Sequence, residues 1–505
     1  MRSNKLETVL RHIFEVLCLF VFVYLFILSL FWIVVNDDNP ISDLRYIIGQ
    51  NPVMSIIKLV VLVLILLGIS FLIRKFIKKQ IPTWILAVSI GVITTGICAI
   101  WVFAVKSIPW ADFGIVFGVA DSFNHDYFAA FEQGAYASNF SYQLGLITME
   151  RIPIAIFGTN YRVLQLSMAF YVGLFSVSGT FVTDHLSKGN KIAMGVYSFL
   201  VLTFIPMYAY VTAPYGDIPS AALFMFAFWM MLSSFEKLKW WKVVLASVSV
   251  CLALLYRTNS IIVVTGLIII LVFTIARYKK TAIFLLAGVL LALGVAEFSM
   301  PVLYRDQIKE DSVNLPAMTW ANMGMHDETD GWWDNYVFEV LGDSGYDTEK
   351  AKAIVSNDTK ELIEKYKKNP GKMFRLFHRK TLIQWDSPLL QAFNITMVEY
   401  KEGGVMEKFY VGSLKKNALK YMDVYFSFIY IVMILGLIHG LTDKKKSAGD
   451  YLLLIGMFGG FLFMLVWETK IRYALVYIMF LIPYVSEYFG TLANKYLFDR
   501  FKRLT

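Results

Sequence analysis

Apolar runs long enough to form membrane-crossing helices, parted by short loops rich in lysine and arginine, set the pattern of this chain. A helix that crosses a hydrocarbon core of about 30 Å needs about 20 residues. Runs of that kind are read at 10–35, 53–73, 84–105, 161–183, 192–212, 217–235, 240–256, 260–276, 281–300, 422–441, 451–467 and 472–492. The pattern predicts about twelve transmembrane helices and an all-α polytopic membrane fold. The first run is too long for a cleaved leader and has no small-residue cleavage site before the next polar loop, so it is read as a true helix.

The basic loops orient these spans, because short loops rich in lysine and arginine stay cytoplasmic. They are Arg74 to Lys79, Lys188 with Lys191, Lys237 to Lys242, Arg277 to Lys280, Lys444 to Lys446, and the tail with Lys495, Arg500, Lys502 and Arg503. All six fit on one side, which places both termini in the cytoplasm. Two of them, at 74–80 and 184–191, share a side only if an even number of spans lies between. The weaker stretch 144–157, broken by Glu150, Arg151 and Pro153, is therefore read as a helix lying along the outer surface.

Two segments remain outside: a loop at 106–160 and a polar stretch at 301–421, which is read as a small soluble domain, α or α+β. The domain reading is thus a membrane core at 1–300 that includes the outer loop, the soluble segment 301–421, and C-terminal spans at 422–505. Charge spacing predicts an exposed helix near Thr348 to Tyr366, and a partly apolar stretch follows near Met373 to Ile383. Between Glu310 and Glu349 there are acidic residues and no lysine or arginine, with Trp320, Trp332 and Trp333 among them. That stretch reads either as a solvated acidic surface or as a lid that stacks indoles on sugar rings or binds a hard cation.

Composition agrees with the span count: 57% hydrophobic and 17% charged residues exclude a water-soluble globule. The formal charge of +9 sits in loops beside spans, so anionic lipid explains it better than nucleic acid, for which no binding motif is present. Cys18, Cys98 and Cys251 all fall inside apolar runs and read as buried hydrophobes, without a disulfide or zinc pattern. No phosphate-binding loop, dinucleotide fingerprint, zincin or serine-hydrolase motif occurs, and three glycosylation sequons, at Asn139, Asn357 and Asn394, change nothing.

The candidate chemistry gathers at the outer ends of spans. Asp121, His125, Asp126 and Glu132 lie in the first outer loop. Tyr215 and Asp217 sit in a tight turn, Arg257 and Asn259 in another, and Glu468, Lys470, Arg472 and Tyr473 in the last. Each alone could be an interfacial cap; ionisable groups near a membrane are costly, and their common side argues for a site.

These residues resemble the GT-C superfamily of membrane glycosyltransferases, in the branch near the protein O-mannosyltransferases and the bacterial aminoarabinose transferases. Asp121, Ala129 and Gly134 match the spacing of that family's first outer loop, where a catalytic acid is followed some eight residues on by a small residue and then a glycine. Tyr142 and Gln143 match the tyrosine-containing segment after it, Ala213 to Asp217 the second acidic motif, and Glu468 to Tyr473 the Glu-x-x-x-Arg-Tyr element. Met318 to Gly324, with Trp320, is similar to a loop segment of Gram-positive members. Two departures stand out: Ala120, not proline, precedes Asp121, and Asp126 is a competing acid.

The resemblance implies a polyprenyl-phosphate sugar as donor and a glycan, glycolipid or protein hydroxyl as acceptor, at the outer face of a bacterial plasma membrane. It implies inverting displacement with Asp121 as base and Asp126 as the competing acid. Arg257, Arg472 or Arg151 would stabilise the departing phosphate, and Asp217 would orient the acceptor, the base or a divalent cation. No other cofactor is implied. Rival readings are a flippase of lipid-linked glycans, a polysaccharide polymerase or ligase using His326, His378 and Arg379, and a membrane scaffold.

Overall fold

The computed structural model describes residues 2–37, 44–76, 81–308, 315–442 and 448–498. Lys78, Lys79, Lys444 to Lys446, Arg500, Lys502 and Arg503 of the basic loops, and Glu310 and Asp311 of the acidic stretch, lie outside the described residues.

The membrane part is built mainly of helices. From the N-terminal side it comprises α1 (Arg2–Phe31), a hairpin of β1 (Trp32–Asn36) and β2 (Arg45–Gly49), α2 (Pro52–Phe76), α3 (Thr83–Ala104), β3 (Lys106–Ile108), α4 (Ala111–Asn124) and α5 (Leu144–Phe157). Then follow α6 (Tyr161–Ser187), α7 (Lys191–Thr203), α8 (Asp217–Glu236), α9 (Trp240–Tyr256) and α10 (Ile261–Leu303). The outer segment holds α11 (Met318–Met323), α12 (Tyr336–Asp343), α13 (Thr348–Lys368), α14 (Pro370–Trp385) and β4 (Met397–Glu399). The chain ends with α15 (Ser413–Thr442), α16 (Leu452–Val466) and α17 (Ala474–Leu492).

Among the described residues nine helices are long and apolar enough to cross a membrane, or ten if the bent pair Lys191–Thr203 and Ile205–Thr212 is one span. The chain is a multi-pass, all-α membrane protein. Helix α10 accounts for part of the difference from the twelve spans read in the sequence. Its 43 residues run on through Tyr278, whose φ of −123° and ψ of 44° break the helical course. At 1.5 Å per residue such a helix is about 65 Å long, twice a hydrocarbon core. The break falls in the basic stretch Arg277 to Lys280, at the join between the two runs read separately in the sequence. Helix α9 passes as a shorter apolar helix only.

Helix α17 is buried along its length and forms the axis of the bundle, packing on α6, α7, α15 and α16, with Tyr488 and Tyr484 sealed in the interior. Buried tyrosines elsewhere hand their hydroxyls to backbone carbonyls, Tyr425 to Leu200 at 3.0 Å and Tyr430 to Trp385 at 2.7 Å, which satisfies the polar end where no water reaches. Helices α2 and α3 keep one apolar face exposed, with Val61, Leu64, Val92 and Ile100 outward, as helices at a lipid boundary do.

The outer segment is not a free-standing soluble unit. Leu315, Trp320, Met323, Val337, Val340, Leu341 and Val355 form a small core of their own. Beyond α14, however, Trp385, Leu389, Leu390, Ala392 and Phe393 belong to the main core. Tyr210 donates to the Leu390 carbonyl at 2.5 Å, and β4 pairs antiparallel with β3 of the first outer loop. The helix expected near Thr348 to Tyr366 forms, with Asp347 capping α13 by accepting from the Lys350 amide at 2.9 Å, and the partly apolar stretch after it is also helical, Pro370 beginning α14 behind the Asn369 cap.

Candidate functional site

A cavity of about 820 Å³ lies between the membrane bundle and the outer segment. Four stretches of sequence meet there, and each reaches it at a helix end.

The first is the start of α4. Pro109 and Ala111, the latter at a left-handed φ of 47°, turn the chain sharply out of β3. This turn sets Asp112 in the first turn of α4, facing the cavity with Ile115 beside it. Free backbone amides at a helix start favour a negative side chain there.

Tyr136, Phe140, Tyr142 and Gln143 form the next wall. Gln143 Nε2 donates to Tyr215 Oη at 2.5 Å. Burial raises the Tyr136, Tyr142 and Tyr215 hydroxyls above the ordinary tyrosine range, and Asp112 adds to the effect on each. They stay protonated.

Two turns supply the third wall. The Asp217 carboxylate, at the start of α8, pairs with Arg257 Nε at 3.1 Å, and both side chains are nearly buried. Gly216 makes the approach possible: a Cβ there would lie 1.9 Å from the Tyr256 carbonyl oxygen, a backbone atom that cannot step aside. Gly216→Ala is expected to lower stability by about 2 kcal/mol through overpacking. It should also push the Tyr215 and Arg257 turns apart. A thermal midpoint in lipid equal to that of the wild type would contradict this packing.

The fourth stretch is the turn after α16. Tyr473 Oη donates to Glu468 Oε2 at 2.9 Å, and Lys470 Nζ lies 3.6 Å from Glu468 Oε1. The Arg472 guanidinium stands 4.6 Å over the Tyr215 ring and 5.6 Å over Phe113, while Arg257 covers Tyr215 at 5.3 Å and Tyr473 at 5.0 Å. Two guanidinium groups thus share one tyrosine. Arg257 has its carboxylate; Arg472 Nε is buried without a hydrogen-bond partner. Above this charged floor, Trp320 stacks on Trp467 at 6.4 Å and meets Tyr142 edge-on at 5.1 Å, with Trp333 and Phe338 further out.

Eleven residues singled out from the sequence line this cavity together: Tyr142, Gln143, Tyr215, Arg257, Asn259, Trp320, Trp333, Glu468, Lys470, Arg472 and Tyr473. Others do not line it. Asp121 accepts from Thr159 Oγ1 at 2.6 Å and faces His125 at 3.6 Å. Asp126, at a left-handed φ of 55°, sits in the exposed turn after α4. Arg151 uses its guanidinium to hold Asn124, Tyr304 and the Phe123 carbonyl, each at about 3 Å, and so ties α5 to the end of α4. Asp217 lies just beneath, beside a water-sized hollow of about 30 Å³.

Asp112 is the lining carboxylate that the sequence reading passed over. Part of a signal was available: Pro109 stands three residues before it and the small residue Ala120 eight residues after, without the glycine that follows the small residue in the pattern from Asp121. His326 is held by Asp334 at 2.6 Å and Asn322 at 3.0 Å, His378 by Tyr24 at 2.7 Å, and Arg379 pairs with Asp330; none of the three lines the cavity. Among the described residues no group of three or more His, Cys, Asp or Glu gathers as a metal site. No family model, curated protein or solved structure matches the chain.

Proposed function

We propose that the chain is a membrane glycosyltransferase that moves a sugar from a polyprenyl-phosphate donor to an acceptor hydroxyl, with Asp112 in place of Asp121 as the base. The observation that carries this reading is the meeting, in one cavity, of a lining carboxylate, Asp112, and a buried arginine, Arg472, whose Nε has no partner. An unpartnered buried donor is costly to leave unmade, and a phosphate oxygen is the acceptor that suits a guanidinium fork.

In this mechanism the donor phosphate lies against Arg472, with Arg257 held in place by Asp217, and the sugar reaches up to the indole faces of Trp320 and Trp467. The acceptor hydroxyl gives its proton to Asp112 as its oxygen bonds to the anomeric carbon. The bond from that carbon to the phosphate oxygen breaks, and polyprenyl phosphate leaves with the electron pair. Arg472 meets the charge that develops on the leaving oxygen. One displacement inverts the anomeric centre. Asp217 serves as a positioning carboxylate for Arg257, a role its ion pair supports better than that of a metal ligand.

The finer topology belongs to the same reading. Counting α10 as two spans about Tyr278, and α9 and the bent α7 pair as one each, restores twelve crossings of a bacterial plasma membrane with both termini cytoplasmic and the cavity at the outer face. Sugar transfer from a panel of polyprenyl-phosphate donors by the purified protein in lipid tests the proposal. Turnover of one donor supports it; intact donors together with transbilayer movement of lipid-linked glycan would transfer the site to a flippase.

A further inference from the structure

Lys380, on α14 of the outer segment, has no exposed surface. Its Nζ donates to the Gly324 carbonyl at 2.5 Å and to the Trp467 carbonyl at 2.6 Å. The first of these oxygens ends α11 in the outer segment. The second belongs to the residue that ends membrane helix α16, one of the carbonyls a helix leaves unsatisfied at its C-terminus.

The surroundings are built for backbone contact. The Thr469 amide donates to the Gly331 carbonyl at 2.7 Å, and Thr469 Oγ1 donates to the Asp330 carbonyl at 2.7 Å. A Cβ on Gly324 would lie 2.3 Å from the Trp467 carbonyl carbon, and one on Gly331 would lie 2.3 Å from the Gly324 oxygen. Glu468, Lys470 and Arg472 follow directly in the clamped turn.

We propose that Lys380 is a positioning residue that straps the outer segment to the turn at 467–472 and thereby sets where Glu468 and Arg472 stand in the cavity. Its consequence for catalysis rests on the transferase reading; the strap itself does not. Two accepting carbonyls match the two N–H groups of a neutral amine, and a buried ammonium would have a third with nowhere to go. Burial pushes the Lys380 amine down to about 7, against an opposing pull from Glu468. Released into water, a lysine returns to about 10.4.

The sign follows from linkage. Between those two values the undocked state holds a proton that the docked state lacks. Docking therefore strengthens as pH rises above about 7, by up to about tenfold per unit, and is weakest below 7, where both states are charged. The charged groups around the strap are Glu468 and Lys470 on the turn and the Asp330–Arg379 pair on the outer side, with Arg45 over Trp332. His326, bonded to Asp334, lies in the same segment.

Hydrogen exchange of residues 467–473, measured in lipid from pH 6.5 to 9 and corrected for the chemical rate, separates these possibilities. The wild type is expected to gain protection above pH 7, and Lys380→Arg to keep protection without that slope. Lys380→Met should lose at least about tenfold. A flat wild-type profile, or a Lys380→Arg slope equal to that of the wild type, would overturn the strap. If Lys380→Met does not fold, the comparison of wild type with Lys380→Arg still decides. In parallel, Lys380→Met should lower kcat with little change in donor KM, and an unchanged kcat overturns the positioning role. Absence of turnover in the wild type counts against the transferase alone.

Discussion

Asp112→Asn is expected to lower sugar transfer by about 10³-fold, in the range that removing a general base costs, while donor KM stays close to that of the wild type. Asn keeps the shape of the side chain but cannot take a proton from the acceptor. Asp112 lines the cavity beside Tyr142, Tyr215 and Arg472, and Asn leaves that packing in place. Asp121→Asn is expected to leave transfer nearly unchanged, because its carboxylate is turned to Thr159 and His125 away from the cavity lining. The pair of variants is its own control: a large loss in Asp121→Asn with a small one in Asp112→Asn would return the base to the position first read from the sequence.

Arg472→Met should cost about 10²- to 10³-fold in kcat, the scale seen when one preorganised donor is removed from a developing negative charge. Methionine preserves much of the length and packing over Tyr215 and Phe113, so the loss reports charge and hydrogen bonding. Arg472→Lys should recover part of the rate and not all, because a lysine keeps the charge without the planar fork. Arg472→Met activity equal to that of the wild type would show that the fork and the charge both lie outside the chemistry. A loss confined to donor KM would place Arg472 in uniform binding of the donor, with no special role as the phosphate departs.

The helices were legible because a span must be long and apolar, and nothing else in the chain competes with that pattern. The convergence of Tyr142, Tyr215, Arg257 and Arg472 was legible too, since each lies at or next to a helix end and the parity of the spans read those ends onto one side. The choice between two acids on α4 was not. Asp112 and Asp121 are nine residues apart, which at 3.6 residues per turn is two and a half turns, so they face opposite ways. The glycine spacing favoured Asp121, and only the packing of α4 says which face looks on the cavity. Arg151 was misread for a similar reason: Asn124 and Tyr304, which take up its donors, come from elements 27 and 153 residues away. The buried course of residues 386–396 was hidden because a polar, proline-containing stretch too short to span a membrane reads as an external loop. In the structure Tyr210 draws it into the core through the Leu390 carbonyl.

The most direct test is transfer of labelled sugar from synthetic polyprenyl-phosphate sugars by the purified protein in lipid, with Asp112→Asn and Asp121→Asn assayed alongside. A membrane transferase with Asp112 as base turns over one donor with inversion at the anomeric carbon, loses that turnover in Asp112→Asn and keeps it in Asp121→Asn. Donors that remain intact with the wild type, under conditions where the protein stays folded, would contradict the transferase reading itself.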